Sequence, residues 1–502
     1  MPIYCLTLPH ATLAQSVEQR IRNAQVASSS LVSGSNNHTT NTPMKRFFLL
    51  VAVLAAVSFS LNAQSVYDEL KADPQRAAGN LHHYEAPEFV VDTPAPSGYT
   101  PFYVSHYGRH GSRYQTSTSG YKRLVPLFEE LDKEGLLTET GKDLAADIKT
   151  LYDEHDRMEG LLTLKGGQEH QGIAQRLYDR VPEVFNQPDR NTVFCVSTPV
   201  HRVLESLANF TLSLKGNAPQ LRVLVLAGDR FGDYLCYEKY NRFRSMKPFS
   251  IIDSVKTERI DAERFICSVF TDTAKAMEIL SRPPKQDENA FGHRQMPAGA
   301  QNAQFAAMMR PRGMSASSFM SNVFSAGSIY GCLDRNNPDV FRYFTIDELY
   351  QLWYCDNMNI LNSYGFTLEN ESGTTLTAQL VVKDILEKAN SAVEGNNRAA
   401  DLRFGHDTGI GPLLSLLKVE GYDRILSLAN DDLEYWPGYR YLPMGSNLQM
   451  IFYRNEAGDV LVKLLRNENE TIIPALKPFK GPYYKWTDLK AYLEGLVADC
   501  TM

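Results

Sequence analysis

Three segments of the chain share one layout, in which a short apolar strand is followed by a charged turn and then by an amphipathic helix. The apolar segments are residues 102–105, 193–196 and 402–404, and the turns after them read YGRHGSR, STPVHR and GHDTG. Strand, turn and helix alternating in this way indicate an α/β fold with a mostly parallel sheet flanked by helices. Because ligands of such sheets bind beyond the carboxyl ends of the strands, we expect the three charged turns to converge on one site.

The distance between the second and third units predicts an insertion. Residues 236–390 read as helix-rich and irregular, and within them Thr345 and Glu348 have the spacing of a capping box at a helix start. We therefore expect a helical cap domain at 236–390. It would divide an α/β core into residues 64–235 and 391–502.

The segment after the third unit predicts a β-hairpin. Two apolar runs, NLQMIFYR and VLVKLL, flank a turn at residues 455–459 that contains Gly458. Glycine in a short turn between apolar runs is typical of a hairpin. We expect this hairpin at the edge of the sheet.

The N-terminal part of the chain has the pattern of a secretory signal peptide. The basic residues of 44–46 precede the apolar run FFLLVAVLAAVSF, and Ala63 offers a small residue before Gln64. The apolar run is short for a membrane span, although an N-terminal anchor is the alternative. We expect residues 44–63 to be the signal peptide and residues 1–43 to come from an over-long gene prediction. The mature protein would be periplasmic or secreted, with no membrane span.

The composition argues against one broad class of function. A net charge of −7 argues against a general nucleic-acid binder, which is usually basic, but it allows a local basic pocket. An even number of cysteines follows the predicted signal and permits disulfides in an exported protein, although buried free thiols explain them equally well. These cysteines are Cys195, Cys236, Cys267, Cys332, Cys355 and Cys500.

The first charged turn places Arg109, His110 and Arg113 within five residues. Crowded guanidinium groups repel one another unless an anion joins them, and arginine matches phosphate oxygens with two donors at once. Neighbouring cations lower the pKa of a histidine, so His110 is a candidate nucleophile that would form a phosphohistidine. Gly108 and Gly111 would let the backbone turn sharply and approach the anion closely. A solvated basic turn is the alternative.

The other two turns supply a third guanidinium group and a proton donor, which the first turn lacks. Arg202, at a helix start, would complete a clamp of three guanidinium groups, although alone it reads as a surface residue. Asp407 would protonate the leaving alkoxide and then act as base on water, and a bound phosphate would raise its pKa. His406 would donate a hydrogen bond to phosphoryl oxygens. A helix N-cap is the alternative for Asp407.

Together the segments RHGSR, STPVHRVLES and GHDTGI resemble the histidine acid phosphatases, a branch of the histidine phosphatase superfamily. Similar segments, among them LTLKGGQEHQGIAQRLYDR and PMGSNLQMIFYR, extend the resemblance over residues 99–467. The resemblance implies that His110 is the nucleophile and Asp407 the proton donor. It implies a phosphate clamp made of Arg109, Arg113, Arg202 and His406.

Within this family, RHGSRY and the exported context resemble bacterial relatives of the multiple inositol polyphosphate phosphatases, which implies phytate and lower inositol phosphates as substrates. That group typically carries His-Ala-Glu where residues 406–408 are His-Asp-Thr, and Gln115 stands where a proline is common. One alternative is therefore a broad-specificity acid phosphatase acting on sugar phosphates or nucleotides. Phosphoryl transfer between hydroxyls and non-catalytic binding of a phosphate ligand are the others.

No cofactor and no metal are expected. His82 and His83 stand together without a third ligand at a recognisable spacing, and the chain has no HExxH motif. His106 could line the pocket or pack against the sheet. The basic run at 239–247 could meet further phosphates or form a solvated helix face. The expected partner is a small-molecule phosphate ester, with no nucleic acid, and no oligomeric state is predicted.

Overall fold

A computed structural model of the chain describes residues 65–88, 91–232, 235, 247–283, 313–334, 337–365, 367–369, 378–429, 432–498 and 500. The predicted signal peptide at 44–63 and the segment 1–43 before it lie outside these residues. The strands are β1 (Thr100–Arg109), β2 (Thr192–Ser197), β3 (Arg222–Ala227), β4 (Arg398–Gly405), β5 (Asn447–Arg454), β6 (Val460–Arg466), β7 (Asn469–Thr471) and β8 (Tyr483–Lys485).

The α-helices follow in chain order between and around these strands. They are α1 (Val66–Ala72), α2 (Ser119–Lys133), α3 (Glu139–Glu154), α4 (Leu164–Arg180), α5 (Pro182–Phe185), α6 (His201–Asn217), α7 (Lys247–Arg259), α8 (Glu263–Val269), α9 (Thr273–Leu280), α10 (Ala316–Gly327), α11 (Ile346–Tyr364), α12 (Gln379–Glu394), α13 (Asp407–Leu417), α14 (Gly438–Tyr441) and α15 (Trp486–Leu496). The 3-10 helices are Pro74–Leu81, Asp229–Phe231, Tyr330–Cys332, Val340–Tyr343 and Asp432–Tyr435.

The described strands form one eight-stranded sheet in the order β3-β2-β4-β1-β5-β6-β7, with β8 also paired to β6. The strands β3, β2, β4 and β1 run parallel, and the pairs beyond β1 are antiparallel. The predicted α/β sheet flanked by helices is confirmed, and its parallel half contains the three units. The hairpin of β5 and β6 around Gly458 is also confirmed. It is not the edge of the sheet, because β7 and β8 pair with the outer side of β6.

The register of the parallel strands brings the three charged turns to one edge. In the β1–β4 pair Arg109 lies opposite Gly405, and in the β2–β4 pair Ser197 lies opposite Phe404. Since β4 lies between β1 and β2, all three strands end at nearly the same level. The turns predicted to converge therefore start side by side.

Apolar side chains on the two faces of the sheet build two clusters. Along β1, Tyr103 and Tyr107 belong to one cluster and Val104 to the other, as the alternation of side chains in a strand requires. Helix α13 packs on β1 with the first cluster, while α6 packs on β2 and β4 with the second. Strands β1, β2 and β4 are thus mostly buried, whereas β3 at the edge of the sheet is largely exposed. The carboxyl ends of the three buried strands are therefore where a site can form.

Helix α11 begins as its sequence predicts. The Thr345 main-chain N–H donates to the Glu348 carboxylate at 2.7 Å, and the Glu348 N–H donates to the Thr345 hydroxyl at 3.3 Å. These reciprocal bonds satisfy two N–H groups that a helix start leaves unpaired. The capping box is therefore confirmed.

The helices of the predicted cap region pack in two different places. Helix α8 contacts α3, and α10 contacts α2 and α3, which precede the second strand in the chain. Helix α12 instead contacts α13, α15 and β1. The cap domain at 236–390 and its boundaries stay a prediction. The basic run at 239–247 lies outside the described side chains.

Among the described cysteines, Cys195, Cys267, Cys332, Cys355 and Cys500 are free thiols.

The open question about His106 is settled in favour of packing. Its ring is 1% exposed, and its centroid lies 5.0 Å from that of Phe210 and 5.5 Å from that of Phe404. Neither ring nitrogen has a hydrogen-bond partner within the described residues. Burial, with smaller contributions from His170 and Arg403, lowers the pKa of His106 to about 3. The side chain is therefore a neutral core residue.

We expect the variant His106→Phe to lose less stability than the wild type as the pH falls from 7 to 4. Below about pH 6.5 the unfolded chain protonates this histidine, whereas the folded chain keeps it neutral down to a pKa of about 3. Stability is thus lost with falling pH by up to about 1.4 kcal/mol per pH unit for this one group. Urea unfolding across this pH range measures the effect. His201→Phe, at an exposed position, is the control, and equal pH slopes for His106→Phe and wild type would contradict the prediction.

Candidate active site

His110 lies directly after β1 and is 2% exposed. Its ring Nδ1 is 2.9 Å from the Gly111 carbonyl oxygen. A carbonyl only accepts hydrogen bonds, so Nδ1 carries the proton and Nε2 keeps a free lone pair. Burial first, and then the charges of Arg202 and Arg109, hold the pKa of His110 well below its usual range. The neutral ring can therefore act as a nucleophile through Nε2.

Arg109 is fully buried and is held on three sides. Its Nη1 donates to the carbonyl oxygens of Asn80 and Leu442 at 2.7 and 2.9 Å, and its Nη2 donates to Asp407 Oδ2 at 2.9 Å. Its Nε has no hydrogen-bond partner among the described residues. Buried N–H groups normally have partners, and a charged guanidinium donor such as this one is suited to an anion.

Asp407 is the first residue of α13, and His406 occupies the N-cap position without a side-chain capping bond. The N-cap alternative for Asp407 is therefore wrong. Its Oδ2 accepts from Arg109 and from Asn80, and its Oδ1 accepts from the Thr408 main-chain N–H at 2.9 Å. Burial by itself would raise the pKa of the Asp407 carboxyl, but Arg109, His406 and Arg113 outweigh it and hold the pKa below its usual range.

The other two predicted arginines lie at the same site. Arg113 is 8% exposed, and burial, followed by the charges of Arg202 and Arg109, lowers its pKa to about 10. Arg202, the second residue of α6, lies with Nη2 3.4 Å from His406 Nδ1. Arg202 and Arg109 both contribute to lowering the pKa of Arg113 and of His110. The three guanidinium groups therefore make the pocket strongly positive, and Asp407 contributes a negative charge beside Arg109.

The ring of His406 packs against the ring of His110, with centroids 5.5 Å apart. A guanidinium only donates, so Nδ1 of His406 accepts from Arg202, and Nε2 donates to the Thr198 hydroxyl at 3.1 Å. Burial and the charge of Arg202 lower the pKa of His406 to about 3. Both nitrogens are thus engaged within the protein. A hydrogen bond from His406 to a phosphoryl oxygen stays a prediction, and it requires one of these bonds to exchange.

The structure brings all six predicted residues together and adds others that sequence reasoning missed. The buried carboxylate of Glu169 accepts from the Ser112 N–H at 2.7 Å, from the Ser112 hydroxyl at 2.6 Å and from the Tyr84 N–H at 3.0 Å. The Ser206 hydroxyl accepts from the Gly111 N–H at 3.1 Å. These bonds hold the first turn in place. Glu169 lies in the segment LTLKGGQEHQGIAQRLYDR and Ser206 in STPVHRVLES. Their place in these family-like segments was the sequence signal that could have identified them.

The reason for glycine at position 111 differs from the prediction. Neither Gly108 nor Gly111 has a positive φ, and Gly108 lies within β1. A Cβ at Gly111 would lie 2.5 Å from the Gly166 carbonyl oxygen, and one at Gly166 would lie 2.1 Å from the Ser112 carbonyl oxygen. Glycine is therefore needed where the first turn meets the start of α4.

His82 and His83 have a neighbour that the sequence spacing did not reveal. Glu85 brings a carboxylate oxygen to them, and one ligand atom from each residue lies within 4.8 Å of the others. The sequence shows no third ligand at a recognisable spacing, whereas the structure places the Glu85 carboxylate beside the pair. The Glu85 carboxylate also lies 3.4 Å from His82 Nε2 and 3.7 Å from Arg76 Nη2, so the acid already has protein partners. The prediction of no metal stays a prediction.

The chain is similar to known proteins over most of its length. Residues 108–467, more than half of the chain, match the histidine phosphatase superfamily (branch 2). The chain is also similar to the protein named Multiple inositol polyphosphate phosphatase 1 of Homo sapiens. The two are 25% identical over 473 residues, which cover 89% of this chain and 88% of that protein.

Two solved structures have a similar fold. One is the multiple inositol polyphosphate phosphatase of Bifidobacterium longum in complex with inositol hexasulfate, with a TM-score of 0.68 at 20% identity, covering 83% of this chain and 97% of that one. The other is the phytase from D. castellii, with a TM-score of 0.59 at 18% identity, covering 84% and 85%. The chain therefore belongs to branch 2 of the histidine phosphatase superfamily and is an enzyme of the histidine acid phosphatase type.

Proposed function

We propose that the protein hydrolyses phosphate monoesters through a phosphohistidine on His110. The observation that carries this proposal is the ring of His110, whose Nδ1–H is held by the Gly111 carbonyl so that Nε2 keeps its lone pair among three arginines. Nε2 attacks phosphorus, a P–N bond forms and the ester P–O bond breaks. Asp407 gives its proton to the departing oxygen, which leaves as the alcohol.

The second half of the reaction reverses these roles. Asp407, now a carboxylate, takes a proton from water while the water oxygen attacks phosphorus and the P–N bond breaks. Inorganic phosphate leaves, and both His110 and Asp407 return to their starting protonation. One carboxyl thus serves as acid and then as base.

The electrostatics of the pocket support this use of Asp407. Its carboxylate is paired with Arg109 and its pKa is lowered, which suits a base but not an acid. A phosphate dianion bound to the arginines neutralises the charges that lower this pKa and places new negative charge beside the carboxyl. Substrate binding therefore raises the pKa of Asp407, so that the carboxyl is protonated and can donate when the ester oxygen departs.

We propose inositol polyphosphates such as phytate as the substrates. The human relative is named for this activity, and the similar Bifidobacterium longum structure contains inositol hexasulfate. A broad-specificity acid phosphatase is the second candidate, because the His-Asp-Thr at residues 406–408 resembles that of other acid phosphatases. We also propose export, on the signal-peptide pattern of residues 44–63. Within the part of the chain that the structure describes, no helix is long and apolar enough to cross a membrane.

A panel of phosphate esters assayed for phosphate release between pH 3 and pH 8 tests the proposal. We expect phytate to be hydrolysed with the highest kcat/KM, and we expect kcat/KM to fall as the pH rises above about 6. The reaction needs one proton, carried by Asp407 or by the phosphate monoester, whose second pKa is about 6. On the acid side the neutral ring of His110 is favoured, because burial and the charges of Arg202 and Arg109 lower its pKa.

The same panel separates the alternatives. Comparable rates on sugar phosphates and nucleotides would identify a broad-specificity phosphatase. Transfer of phosphate to an added alcohol without release would identify a phosphotransferase. Tight phosphate binding without turnover of any ester would identify a binding protein and overturn the proposal. Fractionation of cells that produce the full chain tests export, with the activity expected outside the cytoplasm.

A further inference from the structure

The segment before β1 contributes a side chain to the site. Asn80, at the end of the 3-10 helix Pro74–Leu81, is 8% exposed, and its Nδ2 donates to Asp407 Oδ2 at 3.1 Å. Its main-chain oxygen also accepts from Arg109 at 2.7 Å. Asn80 lies upstream of the family match at 108–467. One residue thus touches both the acid and the arginine that pairs with it.

The backbone around Asn80 is held firmly. Gly79 has a φ of 59° and ψ of −126°, and a Cβ there would lie 2.8 Å from Ile360 Cδ1, so the chain turns at a position that favours glycine. On the other side the Cys332 thiol donates to the Leu81 carbonyl oxygen at 3.0 Å. The amide of Asn80 is therefore presented to the carboxyl from a fixed support.

The contacts of Asp407 Oδ2 point to a specific role for this amide. A carboxylate oxygen has two lone pairs, and those of Oδ2 are taken by Arg109 and Asn80. A phosphate that took over the Nη2 donor of Arg109 would free the lone pair on that side of Oδ2, while Asn80 would keep the other. We propose that Asn80 is a positioning residue that directs the Asp407 proton toward the leaving oxygen of the substrate.

The choice of an amide fits this role. A lysine or arginine at the same place would hold Asp407 ionised, because a full positive charge lowers the pKa of a carboxyl. A neutral amide donor orients the Asp407 carboxyl without adding a charge beside it. The bound substrate then determines whether this carboxyl is protonated. This inference rests on the proposed function, because it concerns the proton that Asp407 gives in that reaction.

The test compares Asn80→Ala with wild type on an alkyl phosphate and on p-nitrophenyl phosphate. We expect kcat/KM on the alkyl ester to fall about 10- to 100-fold, because its poor leaving group needs the proton. On the aryl ester kcat/KM stays within about two-fold, because p-nitrophenolate leaves with little help. Equal losses on both esters would indicate a structural role only, and no loss on either would indicate no role. Both results overturn the inference.

Two further variants test whether Asn80 acts through the proton on Asp407. In an Asp407→Asn background, Asn80→Ala should cause no additional selective loss on the alkyl ester, since the proton is already gone. Asn80→Asp places a second carboxyl beside Asp407 and should move the basic limb of the pH profile upward. Additive losses in the double variant, or an unmoved pH profile for Asn80→Asp, count against the inference. Trapping of phosphoenzyme in the wild type tests the proposed function separately.

Discussion

His110→Ala is expected to abolish phosphate-ester hydrolysis, with kcat/KM reduced by more than about 10⁴-fold on every ester. The substitution removes Nε2, the only nucleophile that the proposed mechanism uses on the substrate. The three arginines are untouched, so inorganic phosphate should still bind with an affinity close to that of the wild type. Phosphate release over hours and phosphate binding by calorimetry measure the two effects.

The control for this experiment is His201→Ala. His201 is the first residue of α6, next to Arg202, and its side chain is exposed. Its removal should leave both hydrolysis and phosphate binding unchanged. Labelled phosphoenzyme should be recovered from wild type after an alkaline quench and should be missing from His110→Ala. Hydrolysis by His110→Ala at a rate near that of wild type would end the phosphohistidine proposal.

Asp407→Asn is expected to act according to the leaving group. On alkyl phosphates kcat/KM should fall about 10²- to 10⁴-fold, whereas on p-nitrophenyl phosphate it should fall less than about 10-fold. Here kcat/KM reports steps up to formation of the phosphoenzyme, in which Asp407 acts only as the acid. The same substitution removes the carboxylate that neutralises Arg109, so inorganic phosphate should inhibit more strongly.

A plot of log kcat/KM against the pKa of the leaving group tests this prediction, and its slope should be steeper for Asp407→Asn than for wild type. Asp488→Asn is the matched control, because Asp488 is an exposed aspartate in the first turn of α15. Its slope should equal that of wild type. An unchanged slope for Asp407→Asn would assign the proton to another group and would remove the basis for the role of Asn80.

Much of the site could be predicted from local patterns. Arg109, His110 and Arg113 are close in the chain, so their proximity in space is built into the turn. The strand patterns then indicate a parallel sheet, whose carboxyl ends share one edge, and this places Arg202 and Asp407 near them. The capping box of Thr345 and the hairpin at Gly458 could be predicted from the sequence for the same reason, since each depends on residues a few positions apart.

Other parts of the site depend on contacts that no spacing in the chain reveals. Asn80 meets Asp407 across 327 positions, and His406 meets Thr198 across 208. The hydrogen-bond partners that settle the protonated nitrogen of His406 become neighbours only after β2 and β4 pair. Glu169 likewise comes to hold the first turn only when α4 packs beside it.

The amino-acid sequence by itself determined the parallel strands, the edge at which their turns meet and the six polar side chains placed there, because repeating local patterns encode these features. The tertiary structure alone decided how protons and charges are arranged among those side chains. Asp407 pairs with Arg109, Asn80 takes one lone pair of that carboxyl, and Gly111 leaves Nε2 of His110 free. The physical reason is that hydrogen-bond direction and burial depend on which distant segments pack together.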